Sequence, residues 1–203
     1  MSSEKINIVL TGGGTAGSVM PLLAIFEGFQ RKNIPAEFIF IGTTNGVEQQ
    51  LIKPYNINFK SVPAGKLRRY WSFSNLTDTL NLAKGFFEAR KILKNDKPNI
   101  VISAGGYVAV PVIWAAWSLK IPSLIHQQDL VKGLANKLTQ KMAAKITVTF
   151  EKSLLDFPQN KTILTGNPVR PDILTGDREK ALNIFRLKKD IPTLLVLGGG
   201  TGA

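Results

Sequence analysis

The chain has 203 residues, of which 44% are hydrophobic and 20% are charged, and these proportions are typical of a folded globular protein rather than a disordered one. It has no cysteine and one histidine, which excludes disulfides, thiolate metal sites and histidine-rich metal sites. The net charge of +12 favours anionic partners such as phospholipid head groups, diphosphates or nucleic acid, although a Lys-rich composition that serves only solubility gives the same charge.

The N-terminal residues lead directly into an apolar run, without the basic and then apolar segments of a secretory signal. No apolar run approaches the roughly 18 residues that a membrane-spanning helix needs. We therefore expect a cytoplasmic protein that is neither secreted nor membrane-spanning.

Short runs rich in Ile, Val and Leu alternate with longer helical stretches along the chain. Continuous apolar runs of this kind are typical of strands that are buried on both faces of a parallel sheet. The alternation predicts an α/β fold, a parallel sheet flanked by helices, whose ligands bind beyond the carboxyl ends of the strands. The predicted strands cover 6–10, 38–41, 100–102, 123–125, 146–148 and 194–197, and the predicted helices cover 20–32, 75–95, 108–119, 133–142 and 178–187.

A segment with two prolines and a glycine, 165–171, follows a strand-like stretch at 162–164 and has the character of a linker. We therefore expect a first domain over 1–165, a linker over 166–171 and the start of a second domain over 172–203. The second domain would consist of one helix and one strand that ends in a glycine loop. Because such a strand has no sheet to join, we expect this truncated part to be poorly packed or to pack on a neighbour.

The first predicted strand runs into a glycine-rich loop, TGGGTAGSVMP. Glycines let backbone N–H groups approach a ligand, and the N-terminus of the next helix adds a positive dipole that suits a diphosphate. Gly12, Gly14 and Gly17 also match the G-x-G-x-x-G pattern of dinucleotide sites. That alternative needs an acidic residue at the end of the second strand, and 38–44 ends without one. A purely structural turn is the remaining alternative.

Three further stretches place small or polar residues directly after a predicted strand. They are SAGGYVAVP at 103–111, IPSLIHQQD at 121–129 and GNPVR at 166–170. Together with the first glycine loop they resemble the MurG family. That family's pattern combines a Gly-Gly-Thr-Gly-Gly-His loop, a Gly-Gly-Tyr loop followed by a proline, a His-Glu-Gln-Asn strand end and a Gly-Asn-Pro-Val-Arg linker. The resemblance runs from the first strand to Ala203.

The resemblance implies the N-terminal half of a GT-B fold, in which two Rossmann-like domains hold the acceptor and the nucleotide-sugar respectively. The implied reaction transfers N-acetylglucosamine from UDP-GlcNAc to the undecaprenyl-diphosphate-linked muramyl-pentapeptide, with inversion and without a metal or cofactor. Its implied location is the inner face of the cell membrane, as a peripheral protein. We expect the chain to be inactive alone; alternatively it binds acceptor for a separate chain that carries the donor domain, or uses another lipid acceptor.

The same resemblance implies two sets of site residues. The residues implied on the donor side are Thr15, Ala16, Gly17, Asp129, Arg170 and Gly200. The residues implied on the acceptor side are Gly14, Ser18, Gly105, Gly106, Tyr107, His126 and Gln127.

The catalytic base is the point at which this sequence departs from the family. Ser18 stands at the family's histidine, and a hydroxyl is a poor base near neutral pH. Gln127 stands at the family's glutamate, and Asp129 at its asparagine. Three interpretations stay open: the protein is inactive or uses another acceptor, Asp129 supplies the carboxylate, or His126 is the base, although a lone histidine at a strand end is more often structural.

The segment 67–73, LRRYWSF, leads into a predicted helix with an apolar stripe and basic neighbours. The stripe consists of Leu76, Leu80, Ala83 and Phe87, and the basic residues are Lys84, Arg90, Lys91 and Lys94. The stripe predicts either a core-facing side of the helix or an exposed patch that binds an anionic membrane, and the resemblance favours the patch. Trp114 and Trp117 fit either interpretation. Nucleic acid is disfavoured because the sequence has no basic–aromatic platform, zinc spacing or helix-turn-helix pattern.

Overall fold

The computed structural model of the chain describes residues 5–65 and 74–196. Within these ranges, seven strands form one sheet in the order β3-β2-β1-β4-β5-β6-β7. All six pairings are parallel, which confirms the predicted α/β class. The strands are β1 (Ile6–Thr11), β2 (Ala36–Thr43), β3 (Asn58–Val62), β4 (Ile100–Ser103), β5 (Ser123–Gln127), β6 (Lys145–Val148) and β7 (Thr162–Leu164).

Helices cover both faces of the sheet, because successive residues of a strand point to opposite faces. In β1, Val9 belongs to one buried core, whereas Ile8 and Leu10 belong to the other. This two-sided burial explains why the strands appear in the sequence as continuous apolar runs. The helices are α1 (Met20–Arg31), α2 (Glu48–Ile52), α3 (Ser74–Asp96), α4 (Ala109–Ser118), α5 (Leu134–Thr139) and α6 (Arg178–Phe185).

Two elements were not predicted from the sequence, β3 and α2. β3 lies at the edge of the sheet, and its sequence NFKSV mixes polar and apolar residues. α2 has five residues, too few for helical periodicity to show. The strand predicted at 194–197 is wrong for residues 194–196, which form no strand and whose side chains are exposed; Leu197 lies outside the described residues. A strand needs a hydrogen-bonded neighbour, and this segment has joined none of the described strands.

The face of α3 that contacts the core is not the predicted apolar stripe. Leu93 is fully buried, whereas Leu80 and Phe87 are 59% and 69% exposed, so a core position is wrong for those two residues. Gly85 lies on the side of the helix that contacts the protein, where a Cβ would collide with the carbonyl oxygen of Pro63. The glycine side of α3 therefore lies against the protein, and Leu80, Ala83 and Phe87 of the stripe face outward.

Several other predicted surface features have mixed outcomes. Trp117 is exposed, whereas Trp114 is half-buried and donates its indole N–H to the carbonyl oxygen of Leu138 at 3.2 Å. The segment 67–73 and the side chain of Leu76 lie outside the described residues. Over the described part of the chain, no helix combines the length and the apolar character needed to cross a membrane.

The strand order places a switch point between β1 and β4. The chain winds from β1 outward to β3, and then crosses back to β4 on the other side of β1. In open α/β sheets, ligands bind in the crevice that such a switch leaves beyond the carboxyl ends of the strands. The two loops that border this crevice are the glycine-rich loops after β1 and β4.

Candidate active site

The glycine loops after β1 and β4 pack against each other, backbone to backbone. Gly106 has a φ of +84°, and a Cβ there would collide with the carbonyl oxygen of Gly13. Gly14 has a φ of +87°, and its Cβ would lie 2.5 Å from Cε1 of Tyr107. Glycine suits both positions because it adopts positive φ freely and has no Cβ. The interlocked loops form the floor of a cleft at the switch point.

Ser18 contacts the backbone of the first glycine loop from its buried side. Its side chain is buried, and Oγ lies 3.2 Å from the carbonyl oxygen of Gly13 and 3.1 Å from that of Thr15. One hydroxyl proton can be donated to either of these acceptors. The contacts therefore give Ser18 a part in holding the loop, whereas Thr15, Ala16 and Gly17 are exposed at the mouth of the cleft.

A buried carboxylate that was missed from the sequence lies directly behind the first loop. Glu48, at the start of α2, is fully buried. Its Oε1 accepts hydrogen bonds from the backbone N–H of Thr43 at 2.6 Å and from the Thr43 hydroxyl at 2.5 Å, and its Oε2 accepts from the N–H of Gly14 at 3.3 Å. Glu48 is therefore an acidic residue that follows β2, five residues beyond Thr43, as a dinucleotide site would require. It does not line the cleft, however, and is not placed to hold a ribose.

Gln127, at the end of β5, organises the loop that follows it. Its side-chain amide donates to the carbonyl oxygens of Asp129 and Val131 at 2.8 and 2.9 Å, and its Oε1 accepts from Nδ2 of Asn136 at 2.9 Å. An ionised carboxylate could not make the first two bonds, because it has no proton to donate. The glutamine that stands at the family's glutamate therefore holds a loop. Asn136, buried in α5, was also missed from the sequence, because nothing in a short helix marks a buried amide.

His126 is buried beside the linker. Its Nδ1 lies 2.9 Å from Oγ1 of Thr147, and its Nε2 lies 3.2 Å from Oδ1 of Asn167. Burial lowers the pKa of His126 and outweighs the hydrogen bonds with Asn167 and Thr147, which raise it. The neutral ring therefore has a partner at each nitrogen, and these contacts support a structural role that ties the sheet to the linker.

Asp129 presents a free carboxylate in the cleft. The residue is exposed, and its side chain makes no hydrogen bond or ion pair with the residues of 5–65 and 74–196. Its backbone is held through the carbonyl bond from Gln127, and the neighbouring Gln128 donates to the carbonyl oxygen of Ala104 at 3.0 Å. Asp129 is thus fixed through its backbone, and its carboxylate is available to accept a proton.

The loops enclose an open cleft of about 530 Å³. Most predicted site residues line it: Gly14, Thr15, Gly17, Ser18, Gly105, Gly106, Tyr107, His126, Gln127 and Asp129. Ala16 belongs to the same turn but not to the lining, and Gly200 lies outside the described residues. Arg170 is also absent from the lining, since its Nη1 lies 3.4 Å from the hydroxyl of Tyr55. Among the described lining residues, Asp129 is the one acidic group, and there is no Lys or Arg.

The sequence of this cleft-forming region matches a known family. The family described as "Glycosyltransferase family 28 N-terminal domain" matches residues 8–148, which is more than half of the chain and contains all the described lining residues. The chain belongs to glycosyltransferase family 28. The glycine loops and the loop after β5 are therefore features of a family 28 N-terminal domain.

The family 28 chain is 44% identical over 196 residues to the UDP-N-acetylglucosamine–N-acetylmuramyl-(pentapeptide) pyrophosphoryl-undecaprenol N-acetylglucosamine transferase of Lachnoclostridium phytofermentans, covering 97% of this chain and 55% of the relative. It is 43% identical over 199 residues to the protein of that name from Clostridium botulinum, covering 98% and 55%. The chain thus spans about half the length of these curated relatives.

A solved structure agrees with these relatives. The chain is similar to MurG from Acinetobacter baumannii, with a TM-score of 0.67 and 28% identity, over 81% of this chain and 46% of that chain. The resemblance to the MurG family and the Rossmann-like fold of its N-terminal half are therefore confirmed.

Proposed function

We propose that this family 28 chain is the acceptor-side half of an inverting N-acetylglucosaminyltransferase. The proposed reaction moves N-acetylglucosamine from UDP-GlcNAc to the undecaprenyl-diphosphate-linked muramyl-pentapeptide. The observation that carries the proposal is the 44% identity, over 97% of the chain, to a relative with that name. The cleft supports it, because Asp129 offers a proton acceptor beside a floor of backbone and small side chains on which a sugar could lie.

We propose that residues 1–165 form the acceptor domain, that 166–171 form the linker, and that 172–203 begin the donor domain. In support, Asn167 is bound to His126, whereas several large apolar side chains beyond the linker are exposed, among them Leu174 at 75% and Leu194 at 88%. Proteins normally cover apolar surface of this extent. Donor contacts would come from Thr15, Ala16, Gly17, Asp129, Arg170 and Gly200.

A chimera tests the proposed reaction. Residues 1–165 of this chain replace the matching half of the Lachnoclostridium phytofermentans relative, and transfer from radiolabelled UDP-GlcNAc to a short-chain, water-soluble form of the acceptor is measured. We expect product from the chimera and none from the chain alone. A folded chimera that binds UDP-GlcNAc and uses a different polyprenyl-linked acceptor instead would contradict the acceptor assignment. Adding the relative's donor half as a separate chain tests the two-chain alternative.

We propose that the outward side of α3 rests on an anionic membrane surface. This α3 patch consists of Leu80 and Phe87 with the exposed basic residues Lys84, Arg90, Lys91 and Lys94. Large apolar side chains insert into the head-group region, and each nearby Lys or Arg adds about 1 kcal/mol of attraction to an anionic leaflet. A lipid-linked acceptor would be reached from this position.

Replacing both Leu80 and Phe87 with serine is expected to lower the partition coefficient onto phosphatidylglycerol-containing vesicles by about tenfold or more, since burying one such side chain is worth about 1.5–3 kcal/mol. Sedimentation with vesicles at low and high salt measures it. Leu155→Ser is the matched control, because Leu155 is 80% exposed but lies outside the α3 patch. Equal losses for both variants would show that α3 is not the membrane-facing side.

A further inference from the structure

The loop after β1 has the composition of an anion-binding loop, but several N–H groups of the loop and of α1 are already used. The N–H of Gly14 donates to Glu48 rather than toward the cleft. In α1, Pro21 has no N–H, and the N–H groups of Leu22 and Leu23 donate to the carbonyl oxygen of Val19 at 3.0 and 3.1 Å. Three of the first four residues of α1 therefore offer no free N–H group for a phosphate, which helix N-termini usually bind through such groups.

The carboxylate of Glu48 fills the space beneath this loop. A Cβ on Gly13 would lie 2.5 Å from Oε1 of Glu48, and a Cβ on Gly42 would lie 2.6 Å from its Cγ. A Cβ on Gly46 would collide with both of its carboxylate oxygens. Three glycines thus leave the room that this one side chain occupies. The glycines and N–H groups surround the Glu48 carboxylate as they would surround a bound anion.

The charge of Glu48 is not neutralised by a cation. In the described ranges 5–65 and 74–196, no Lys or Arg forms an ion pair with it, and its partners there are N–H and O–H groups of Thr43 and Gly14. Across the cleft, Asp129 adds a second carboxylate, and the described lining contains no Lys or Arg. At low effective dielectric, a negative charge close beneath the loop opposes a second anion on the loop.

We propose that Glu48 is the internal anion of the glycine loop, a positioning residue that lies behind the loop, holds the Gly14 N–H away from the cleft and so directs an uncharged, hydroxyl- or amide-bearing part of the ligand onto Gly13 and Gly14. This inference rests on the proposed function for the ligand's identity: a sugar ring of the acceptor, rather than its diphosphate, faces the loop. The assignment is an alternative to the interpretation, drawn from the glycine pattern, that the loop suits a diphosphate.

Backbone amide NMR of the isotopically labelled chain tests this inference. The chain is titrated separately with inorganic pyrophosphate and with N-acetylmuramyl-pentapeptide that carries no phosphate. We expect the amide signals of Gly13 and Gly14 to shift with the muramyl-pentapeptide and to be unchanged by millimolar pyrophosphate. Saturable shifts of these two signals with pyrophosphate in the wild-type chain would overturn the inference. If neither probe shifts them, anion exclusion holds and the proposed acceptor is what fails.

Glu48→Gln separates an electrostatic role from a merely structural one. Its amide group removes the charge and faces the Gly14 N–H with another donor, so that N–H is released toward the cleft. We expect pyrophosphate affinity at the loop to rise by about tenfold or more. Glu37→Gln, which removes the same charge from an exposed ion pair with Lys5, should leave it unchanged. A folded Glu48→Gln chain without this gain would contradict the inference, and if the variant fails to fold, the wild-type titration still decides.

Discussion

Replacing Gly106 with alanine is expected to destabilise the protein by about 2–5 kcal/mol and to abolish ligand binding in the cleft. Two costs add. An L-residue at the observed φ of +84° costs about 1–2 kcal/mol. The new methyl group would also collide with the carbonyl oxygen of Gly13, and forcing extra volume into a packed site costs about 1–3 kcal/mol more. Any relaxation must push the two glycine loops apart.

Gly105→Ala is the matched control for this substitution. Gly105 has a similar φ of +94°, but a Cβ there would meet nothing within 4 Å. We expect that variant to lose only the conformational part of the free energy of unfolding, about 1–2 kcal/mol. Urea unfolding of both variants measures the free energies, and amide NMR with N-acetylmuramyl-pentapeptide measures binding. Equal unfolding midpoints would show that the contact between the loops does not determine the shape of the cleft.

The fold could be predicted largely because the inner strands of the sheet are buried on both faces. The apolar run around Val9 and Leu10 has no polar interruptions, because these neighbouring residues pack into the cores on opposite faces of the sheet. That property disappears at the edge of the sheet, where β3 has polar residues and was missed. The orientation of α3 could not be predicted from periodicity either, because the packed side of the helix includes Gly85, whose close approach to Pro63 exists only in the folded chain.

The site was predictable where its chemistry lies in local motifs. The loops around Gly14 and Gly106 follow buried strands, and the switch point brings them together. The supporting residues were not predictable, because their roles exist only through tertiary contacts. Glu48 looks like an ordinary first-turn acid of a short helix, and its burial depends on the glycines packed around it. Likewise, the linker motif predicts a donor contact for Arg170, yet its guanidinium contacts Tyr55.

Replacing Asp129 with asparagine in the chimera is expected to lower kcat by about 10²–10⁴-fold, the usual contribution of a general base. The acceptor hydroxyl must lose a proton as it attacks the sugar. The hydroxyl of Ser18 is bound to loop carbonyls, and Gln127 carries an amide, so neither can accept that proton. The Asp129 side chain is exposed and has no hydrogen bond or ion pair with the described residues, so the substitution should leave the free energy of unfolding unchanged. Single-turnover transfer and urea unfolding together measure both quantities.

His126→Gln distinguishes the two remaining candidates for the base. The His126 ring is buried, its pKa is lowered, and its nitrogens lie beside Thr147 and Asn167. To act as base it would have to leave a hydrogen bond and carry a charge that burial disfavours. We therefore expect His126→Gln to lower the free energy of unfolding and to have little effect on kcat. Asp129→Asn should do the opposite. Unchanged turnover in Asp129→Asn with a large loss in His126→Gln would assign the proton transfer to the histidine, and would require the linker around Asn167 to move before catalysis.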